Sequence, residues 1–509
     1  MDFSLSKSDI SNIMNVCDSN ISQSVDSDIT LPEYVDDIDC VLSCALTPQI
    51  DSAVFSEGRV TVEGRATVRL LYTSQKGTLN CFENEIPFSR FADMQNATET
   101  DCISALASTQ YVNCRLVNPR RFDVHGNIVV SLKALRVHNE QVVSSAQGCG
   151  IQTLKKAITI SNAKAINEKS FSLSEVLEIN GDLPSIAQIV SINASPSVTD
   201  TKLISGKALI KGDMDLDVFF IPDNQPNSIE KARFTLPISQ IVELDSADEG
   251  DSSVSEISVS YINYTVRADS GGSIRLIDIS VGARAKVSVF KTEETEVVFD
   301  AYSTEFEIEN EIKRIETRCL KEQFADSCLC RCPFSVSGKE INAVTSLMTR
   351  DIVSECSRRD GKLVISGSVR AGLTVEFSNG EKGYIEKPIE FEYSRPVDCE
   401  EIICEKSVRV NASSFVLNSN GNADVRVETE ITGWIFEKKC LPLITDICVK
   451  EENKKSPCPA ALTLYYPDKC EPVWEIAKKY NTTVSAITRE NQLSDDEISP
   501  GTMLILPRI

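Results

Sequence analysis

The stretch VWEIAKKY, residues 473–480, decides the fold of the C-terminal part of the chain. Its apolar residues recur at i, i+3, i+4 and i+7, which predicts a short helix with one apolar face from about Pro472. Pro472 suits the first helical turn, because its missing N–H loses no hydrogen bond there. A second helix follows, capped by Thr482 or Thr483 and ended by Asn491, since Asn tolerates the left-handed conformation.

A turn and a strand complete this module. Residues 499–502, SPGT, fit a type II turn, because Pro fixes the first central residue and Gly supplies a positive φ at the second. Residues 503–506 follow as a strand that we expect to pair with residues 462–466. The sequence therefore predicts a small βααβ module.

The order of these landmarks resembles the LysM family. Its modules typically bind N-acetylglucosamine polymers in a groove between the loop before the first helix and the loop before the last strand. The resemblance implies a groove rim, or a partner surface, made of Lys469, Cys470, Glu471, Pro472, Trp474, Asn491 and Gln492. The first loop departs from the family pattern: residues 470–473 read CEPV where GDTL is usual, so a flexible glycine is lost and a stiff proline enters.

Trp474 lies off the apolar stripe of its helix, so we expect its ring to be partly exposed. Two interpretations stay open. Exposed aromatic rings often anchor contacts with protein or sugar, which favours a binding role. The other interpretation is a side chain that covers the flank of a small domain.

Composition limits the possible partners. The chain has 509 residues, enough for three or four domains, and its 52 basic against 75 acidic residues give a net charge of -23. This charge opposes binding to phosphate backbones, anionic lipids and polyanionic wall polymers. We therefore predict no nucleic-acid partner.

The sequence predicts a cytoplasmic protein without membrane insertion. It contains no stretch of about 18 apolar residues that could span a bilayer. The first residues, MDFSLSK, lack the basic region and apolar run of a signal peptide. On that expectation the 18 cysteines are reduced thiols that behave as small apolar residues.

An internal repeat precedes the C-terminal module. The motifs IPFS, LPIS and KPIE place Pro87, Pro237 and Pro388 at intervals of 150 and 151 residues. Each motif is preceded by an alternating strand and followed by a glycine-containing hairpin turn. Such constant spacing indicates duplicated domains, because each unit is long enough to bury its own core. The dominant period of two predicts strands, so each unit is a β-sandwich or an open barrel with short helical inserts. Residues 161–182 and 308–319 are predicted to be helical or extended connectors.

The predicted fold is mainly β, with three tandem β-sandwich-like repeats followed by the βααβ module. The predicted domains are an N-terminal segment (1–24), repeat 1 (25–160), repeat 2 (161–307), repeat 3 (308–450), a linker (451–457) and the C-terminal module (458–509).

The repeats resemble SPOCS repeats, found in spore-coat assembly proteins. The resemblance rests on residues 28–34, DITLPEY, on the following landmarks at 37–38, 41–42 and 48, and on the strand centred on Gly64. It implies a non-catalytic adaptor of spore-coat assembly, cytoplasmic on the mother-cell side and located at the forespore surface. The implied partners are spore-morphogenetic or coat proteins, among them a SpoIVA-like ATPase. Peptidoglycan is the alternative ligand.

Catalysis has few candidate residues. Only His125 and His138 are present, both beside a predicted hairpin turn, where a surface position is the favoured interpretation. The sequence has no nucleophile elbow, no P-loop and no GxGxxG before a helix. We predict a protein that is not an enzyme, with no catalytic residues and no cofactor.

Cysteine placement leaves a metal site open as a minor alternative. Cys328, Cys330 and Cys332 lie on one face of a predicted strand, a geometry that suits a thiophilic metal. A closed zinc site needs a second ligand pair, which is missing unless Cys319 or Cys356 folds over. We therefore predict no metal site, and the sequence does not determine which cysteines pair.

Overall fold

The computed structural model describes residues 3–456 and 462–507 and shows a mainly β protein with three tandem sandwich-like repeats. Repeat 1 consists of β1 (Ser4–Thr30), β2 (Ile38–Ser56), β3 (Arg59–Ser74), β4 (Leu79–Asp93), β5 (Cys102–Asn118) and β6 (Arg121–Gln147). Repeat 2 consists of β7 (Ile151–Glu178), β8 (Ile186–Ile204), β9 (Lys207–Pro222), β10 (Glu230–Glu243), β11 (Ser252–Ala268) and β12 (Ile274–Ser303). Repeat 3 consists of β13 (Phe306–Phe334), β14 (Ile341–Arg359), β15 (Lys362–Phe377), β16 (Lys382–Pro396), β17 (Ile402–Leu417) and β18 (Ala423–Lys454).

Each repeat contains two three-stranded antiparallel sheets. In repeat 1 the consecutive strands β2, β3 and β4 form one sheet, and the order β1-β6-β5 forms the other. Repeats 2 and 3 have the same order. Central strands such as β3 and β6 turn alternate apolar side chains towards the facing sheet, and the two sheets share one apolar core.

One glycine recurs at the same place in each repeat because the strands approach closely there. A Cβ on Gly64 would lie 2.2 Å from the carbonyl oxygen of Gln49 on the neighbouring strand. The corresponding distances are 2.0 Å for Gly212 and 2.1 Å for Gly367. No side chain fits at such distances, which explains the glycine that marks each alternating strand in the sequence.

The three repeats pack around a shared centre. The last strands β6, β12 and β18 contact one another, and each contributes equivalent apolar residues to common clusters. One set consists of Val142, Val297 and Leu443, and another of Val143, Val298 and Ile444. The repeats therefore form one packed body in which each repeat occupies a similar position.

The structure confirms the predicted fold class and changes several details. The predicted helical inserts are wrong: every regular element within residues 3–456 is a strand. Residues 161–182 and 308–319 are extended, mostly as parts of β7 and β13. The predicted boundaries after residues 24, 160 and 307 fall inside β1, β7 and β13, and β18 continues to Lys454. The cause is long-range pairing between the first and last strands of each repeat, which leaves no local signal.

The C-terminal module contains β19 (Thr463–Tyr465), β20 (Glu471–Pro472), α1 (Val473–Lys479), α2 (Val484–Asn491), β21 (Glu497–Ile498) and β22 (Leu504–Leu506). The expected pairing of its outer strands is confirmed, as β19 pairs with β22. The predicted turn is also confirmed, because Gly501 has a φ of +78° and the Thr502 N–H donates to the Ser499 carbonyl at 3.3 Å. Thr483 caps α2, since its side chain accepts from the Ala486 N–H at 3.1 Å.

The end of α2 differs from the prediction. Gln492, not Asn491, adopts the left-handed conformation, with a φ of 53°. Asn491 is the last helical residue, and its side chain both donates to the Ile505 carbonyl and accepts from the Ile505 N–H, each at 2.7 Å. The amide of Asn491 is therefore used to join α2 to β22, so a different residue ends the helix.

Candidate functional site

The core of the C-terminal module is completed by a residue from repeat 2. Seven buried apolar residues of the module form a cluster with Tyr302, which lies near the end of β12 and is 3% exposed. The Tyr302 hydroxyl donates to the Thr482 carbonyl at 2.7 Å. Its ring meets the Trp474 ring edge to face, with the ring centroids 4.9 Å apart. The module is therefore packed directly onto repeat 2.

Asp300 makes the polar part of this contact. Trp474 Nε1 donates to an Asp300 carboxylate oxygen at 2.8 Å, and Lys478 Nζ donates to both carboxylate oxygens at 2.8 and 2.6 Å. Trp474 and Lys478 are four residues apart, so one face of α1 carries both donors. The sequence predicted a partly exposed Trp474, and the half-buried ring is found against repeat 2.

The chain is also held beside this contact before it enters the module. Lys455 Nζ donates to the Ser303 carbonyl at 2.8 Å and to Asn481 Oδ1 at 2.7 Å. The Lys455 N–H donates to the Glu305 carbonyl at 2.8 Å. We call the whole contact the docking interface; it comprises Asp300, Tyr302, Lys455, Trp474, Lys478 and Thr482.

Only repeat 2 offers this combination of side chains. The apolar clusters align Val143, Val298 and Ile444, which places Ser145 and Asp446 at the positions that correspond to Asp300. The positions that correspond to Tyr302 are Gln147 and Cys448. Neither repeat 1 nor repeat 3 has a carboxylate followed by an aromatic residue there, so the docking interface is specific to repeat 2.

The loops before α1 and before β22 lie together at another edge of the module. Glu471 and Pro472 pair with Ile498 and Glu497, and the Gly501 N–H donates to the Pro467 carbonyl at 2.9 Å. These bonds hold the two loops against each other. We call the resulting surface the loop rim; its members are Asp468, Lys469, Cys470, Glu471, Pro472, Asp495, Asp496 and Glu497.

Four of the predicted site residues belong to the loop rim. Lys469, Cys470 and Pro472 are exposed, and the half-buried Glu471 accepts a hydrogen bond from the Tyr465 hydroxyl at 2.6 Å, which raises the pKa of Tyr465 to about 12. The other three lie elsewhere. Trp474 faces the docking interface, Asn491 joins α2 to β22, and Gln492 is exposed at the end of α2.

The loop rim is acidic, a property that sequence reasoning missed. Five of its eight residues are Asp or Glu, and Lys469 is its one basic member. All five carboxylates are exposed or half-buried. The signal was available in the sequence, because the acids fall in the two loops that the predicted module brings together.

Two comparisons with family models bear on identity. The model described as SipL, SPOCS domain, matches residues 37–117 and 185–267. These segments coincide closely with β2–β5 of repeat 1 and β8–β11 of repeat 2. The model described as LysM domain matches residues 473–507, which begins at α1 and extends past β22. The chain carries SPOCS and LysM domains.

No curated protein and no solved structure matches the chain. The domain types themselves are non-catalytic binding types, of a sporulation-related and a peptidoglycan-binding kind. Repeat 3 has the same strand order as the two SPOCS repeats that contain the matched segments.

The LysM domain has a second exposed surface that was not predicted. Leu464 in β19 and its neighbours Leu462 and Tyr466 alternate with half-buried residues; Leu462, Leu464 and Tyr466 are 61%, 48% and 54% exposed. Met503, beside β22, is 50% exposed. The alternation shows that one face of the β19–β22 pair is turned away from the helices.

The other candidate groups of the sequence have ordinary surroundings. His125 lies 2.9 Å from Asp26 and His138 lies 3.1 Å from Glu140, both at the surface of repeat 1. Cys328 Sγ and Cys330 Sγ are 3.6 Å apart. Within residues 3–456 and 462–507, no three His, Cys, Asp or Glu side chains are grouped in a way that could hold a metal ion.

Neither helix described in the LysM domain is long and apolar enough to cross a membrane.

Proposed function

We propose that the protein is a non-catalytic adaptor of spore coat or envelope assembly, acting in the cytoplasm on the mother-cell side of the forespore surface. In this proposal the SPOCS repeats form the scaffold. The LysM domain docks a spore-morphogenetic protein, such as a SpoIVA-like ATPase, through the loop rim.

The acidic loop rim is the observation that carries this proposal. Five carboxylates in two joined loops favour a partner with a basic surface, because complementary charge speeds association and excludes other partners. The rim is also presented in a fixed orientation, since the docking interface holds α1 against repeat 2. A rigid, charged surface is suited to recognise a folded protein.

Two further features weigh against a glycan as the main ligand. Peptidoglycan carries carboxylates of its own, which the rim would repel. Trp474 packs on Tyr302 and donates its N–H to Asp300, so its ring is not free to stack on a sugar.

Peptidoglycan binding is the second candidate function. The LysM match itself favours it, because this domain type is a peptidoglycan-binding type. In that case the ligand would lie along the exposed loops around Pro472 and Gly501.

Charge reversal in the loop rim tests the proposal. The double substitution Asp495→Lys and Glu497→Lys should weaken capture of a SpoIVA-like ATPase at least tenfold, and Glu471→Lys should do the same to a smaller degree. The control is Glu490→Lys at an exposed position of α2, which makes the same charge change as Glu471→Lys and half that of the double substitution. The wild-type affinity should also fall as salt is raised, because exposed charges are screened within about 10 Å at 0.1 M ionic strength.

Calorimetry with muropeptide oligomers distinguishes the two functions. Under the adaptor proposal the oligomers bind neither the wild type nor the variants. Micromolar binding to the wild type that is abolished by the rim substitutions would support the peptidoglycan function instead.

A further inference from the structure

Each repeat brings two edge strands of its facing sheets together. In repeat 1, β2 is an edge of one sheet and β5 an edge of the other, and the two strands are in contact. The same holds for β8 with β11 and for β14 with β17. Side chains that meet there join the two halves of the sandwich.

Two repeats place a pair of thiols between these strands. In repeat 3, Cys356 on β14 and Cys404 on β17 each lie two residues from the hydrogen bonds between Ser354 and Lys406 that join these strands, and the two thiols face each other there. In repeat 1, Cys44 on β2 and Cys114 on β5 pack against the same core, where the Thr109 hydroxyl joins the two strands by donating to the Leu46 carbonyl at 2.5 Å, and the two thiols face each other there. The corresponding strands of repeat 2 are joined by hydroxyl groups, since Thr201 Oγ1 donates to Ser255 Oγ at 2.9 Å. Side chains therefore meet between these two edge strands in all three repeats. In repeats 1 and 3 the groups that meet are two cysteine thiols.

All four thiols are half-buried beside the apolar core of their own repeat. They are therefore poorly accessible to large reagents but accessible to small ones. The two members of each pair are distant in the sequence, so a bond between them would close a long loop.

The surroundings make one thiol of the repeat 3 pair the better nucleophile. The Cys404 thiol donates a hydrogen bond to Cys356 and lowers its pKa, and the ammonium group of Lys406 adds to this effect. Lys406 is held in place by hydrogen bonds to Ser354, at 2.9 Å to the carbonyl and 2.6 Å to the hydroxyl. A lower pKa gives more thiolate, which is the form that reacts.

We propose that Cys356 with Cys404, and Cys44 with Cys114, are disulfide-forming sites that covalently close the sandwiches of repeats 3 and 1 when a low-molecular-weight disulfide is present. The Cys356 thiolate attacks one sulfur of that disulfide and releases one thiolate. Cys404 then loses its proton, attacks Cys356 Sγ in the mixed disulfide and releases the second. One protein disulfide forms, the oxidant is reduced to two thiols, and the protons of the two cysteines are taken up by the released thiolates.

The other close or exposed thiols within residues 3–456 and 462–507 lack this arrangement. Cys328 and Cys330 are close, but alternate residues of one strand have Cα atoms about 6.6 Å apart, at the upper limit of disulfide geometry. Cys40, Cys440, Cys448 and Cys470 are more exposed, and in Cys470 the thiol donates to Glu497. Exposure alone would favour these four, whereas the proposal favours the half-buried pairs.

Peptide mapping of the full-length protein tests the proposal. The reduced protein is incubated with glutathione disulfide under native conditions, remaining thiols are alkylated, and the peptides are analysed without reduction. The two expected linked peptides each weigh two hydrogens less than the sum of their parts. Free alkylated Cys356 and Cys404, or linkage mainly through the exposed cysteines, would overturn the proposal.

Variants separate bond formation from simple stability. The oxidised wild type should unfold about 5–10 °C higher than the reduced protein, because the bond restricts the unfolded chain. The substitutions Cys356→Ser and Cys404→Ser, each made together with Cys44→Ser, should remove this difference, whereas Cys328→Ser should retain it. A reduced variant whose transition matches that of the reduced wild type has folded normally.

The hydroxyl pair of repeat 2 offers a positive control. The double substitution Thr201→Cys and Ser255→Cys should create a third linked peptide under the same conditions. Failure of linkage here, together with failure in repeats 1 and 3, would show that the strands do not approach as described. The proposed adaptor function does not depend on this result, because the loop rim and the thiol pairs lie in different domains.

Discussion

The SPOCS repeats and the LysM domain differ in how they complete their cores. Each repeat buries the facing sides of its own two sheets, and its core cluster consists of its own residues. The LysM domain supplies seven buried apolar residues and receives the eighth, Tyr302, from repeat 2. A domain this small has little stability in reserve. Its structure and its orientation therefore depend on the same contact.

The largest expected effect comes from the core of the LysM domain itself. Ile476→Asp places a carboxylate at a position that is 1% exposed, which should cost about 4 kcal/mol or more and unfold the domain. Hydrogen exchange of residues 463–506 measures this directly. Glu475→Asp, at an exposed position of the same helix, is the control. The repeats should retain their own protection, and loss of protection throughout the chain would contradict the separation of cores.

Tyr302→Ala tests whether Tyr302, which repeat 2 contributes to the LysM core, affects the stability of the LysM domain and of repeat 2. Losing the buried ring and its hydrogen bond to Thr482 should destabilise the LysM domain by about 3 kcal/mol while repeat 2 remains folded. Gln147→Ala changes the corresponding position of repeat 1 and should leave the LysM domain unaffected. Equal effects of the two substitutions would mean that the docking interface is not specific to repeat 2.

Asp300→Asn should have a smaller effect, about 1–2 kcal/mol on the opening of the docking interface, because it weakens the charge-assisted hydrogen bonds from Trp474 and Lys478 at a partly exposed site. Asp446→Asn, at the corresponding position of repeat 3, is the matched control. The indole fluorescence of Trp474 and its protection from exchange report the opening. If neither the fluorescence nor the protection changes, Asp300 does not stabilise the docking interface.

The smallest expected effect concerns a carboxylate within repeat 1. The hydrogen bond from Arg136 lowers the pKa of Asp101, whose side chain is fully buried. Because the folded-state pKa is lower, the charged form stabilises the fold above the unfolded pKa of about 3.9, and this contribution is lost as pH falls through the folded value.

We expect Asp101→Asn to lower the free energy of unfolding by about 1 kcal/mol at pH 7, with the difference from the wild type disappearing at the acid end. The exposed pair Arg59 and Asp93 provides the comparison, since Asp93→Asn should change little at any pH. Denaturant titrations at pH 7 and pH 3 supply both values.

The sequence predicted those parts of the structure that depend on neighbouring residues. Apolar spacing along residues 473–480 located α1, and the residues around Gly501 located the turn before β22. Alternation and the spacing of Pro87, Pro237 and Pro388 predicted three β repeats. In each case the residues that form the element also carry the signal.

Features that depend on distant residues were missed. The pairing of β1 with β6 joins Ser4 to Gln147, and no local pattern in residues 1–24 indicates it. Likewise, nothing near Trp474 in the sequence indicates Asp300 or Tyr302. The ring was expected to be partly exposed on one side of a helix, and it is half-buried. The surface that covers it comes from another domain.

The position of Lys455 favours formation of the docking interface beyond what its few contacts contribute. Lys454 pairs with Phe306 and Lys455 bonds to Ser303 and Glu305, so the connection starts within a few residues of Tyr302. A short connection of this kind keeps the LysM domain at an effective concentration in the millimolar range or above. An external ligand that needs the Trp474 face must compete with this internal partner, whereas a ligand of the loop rim meets no such competition.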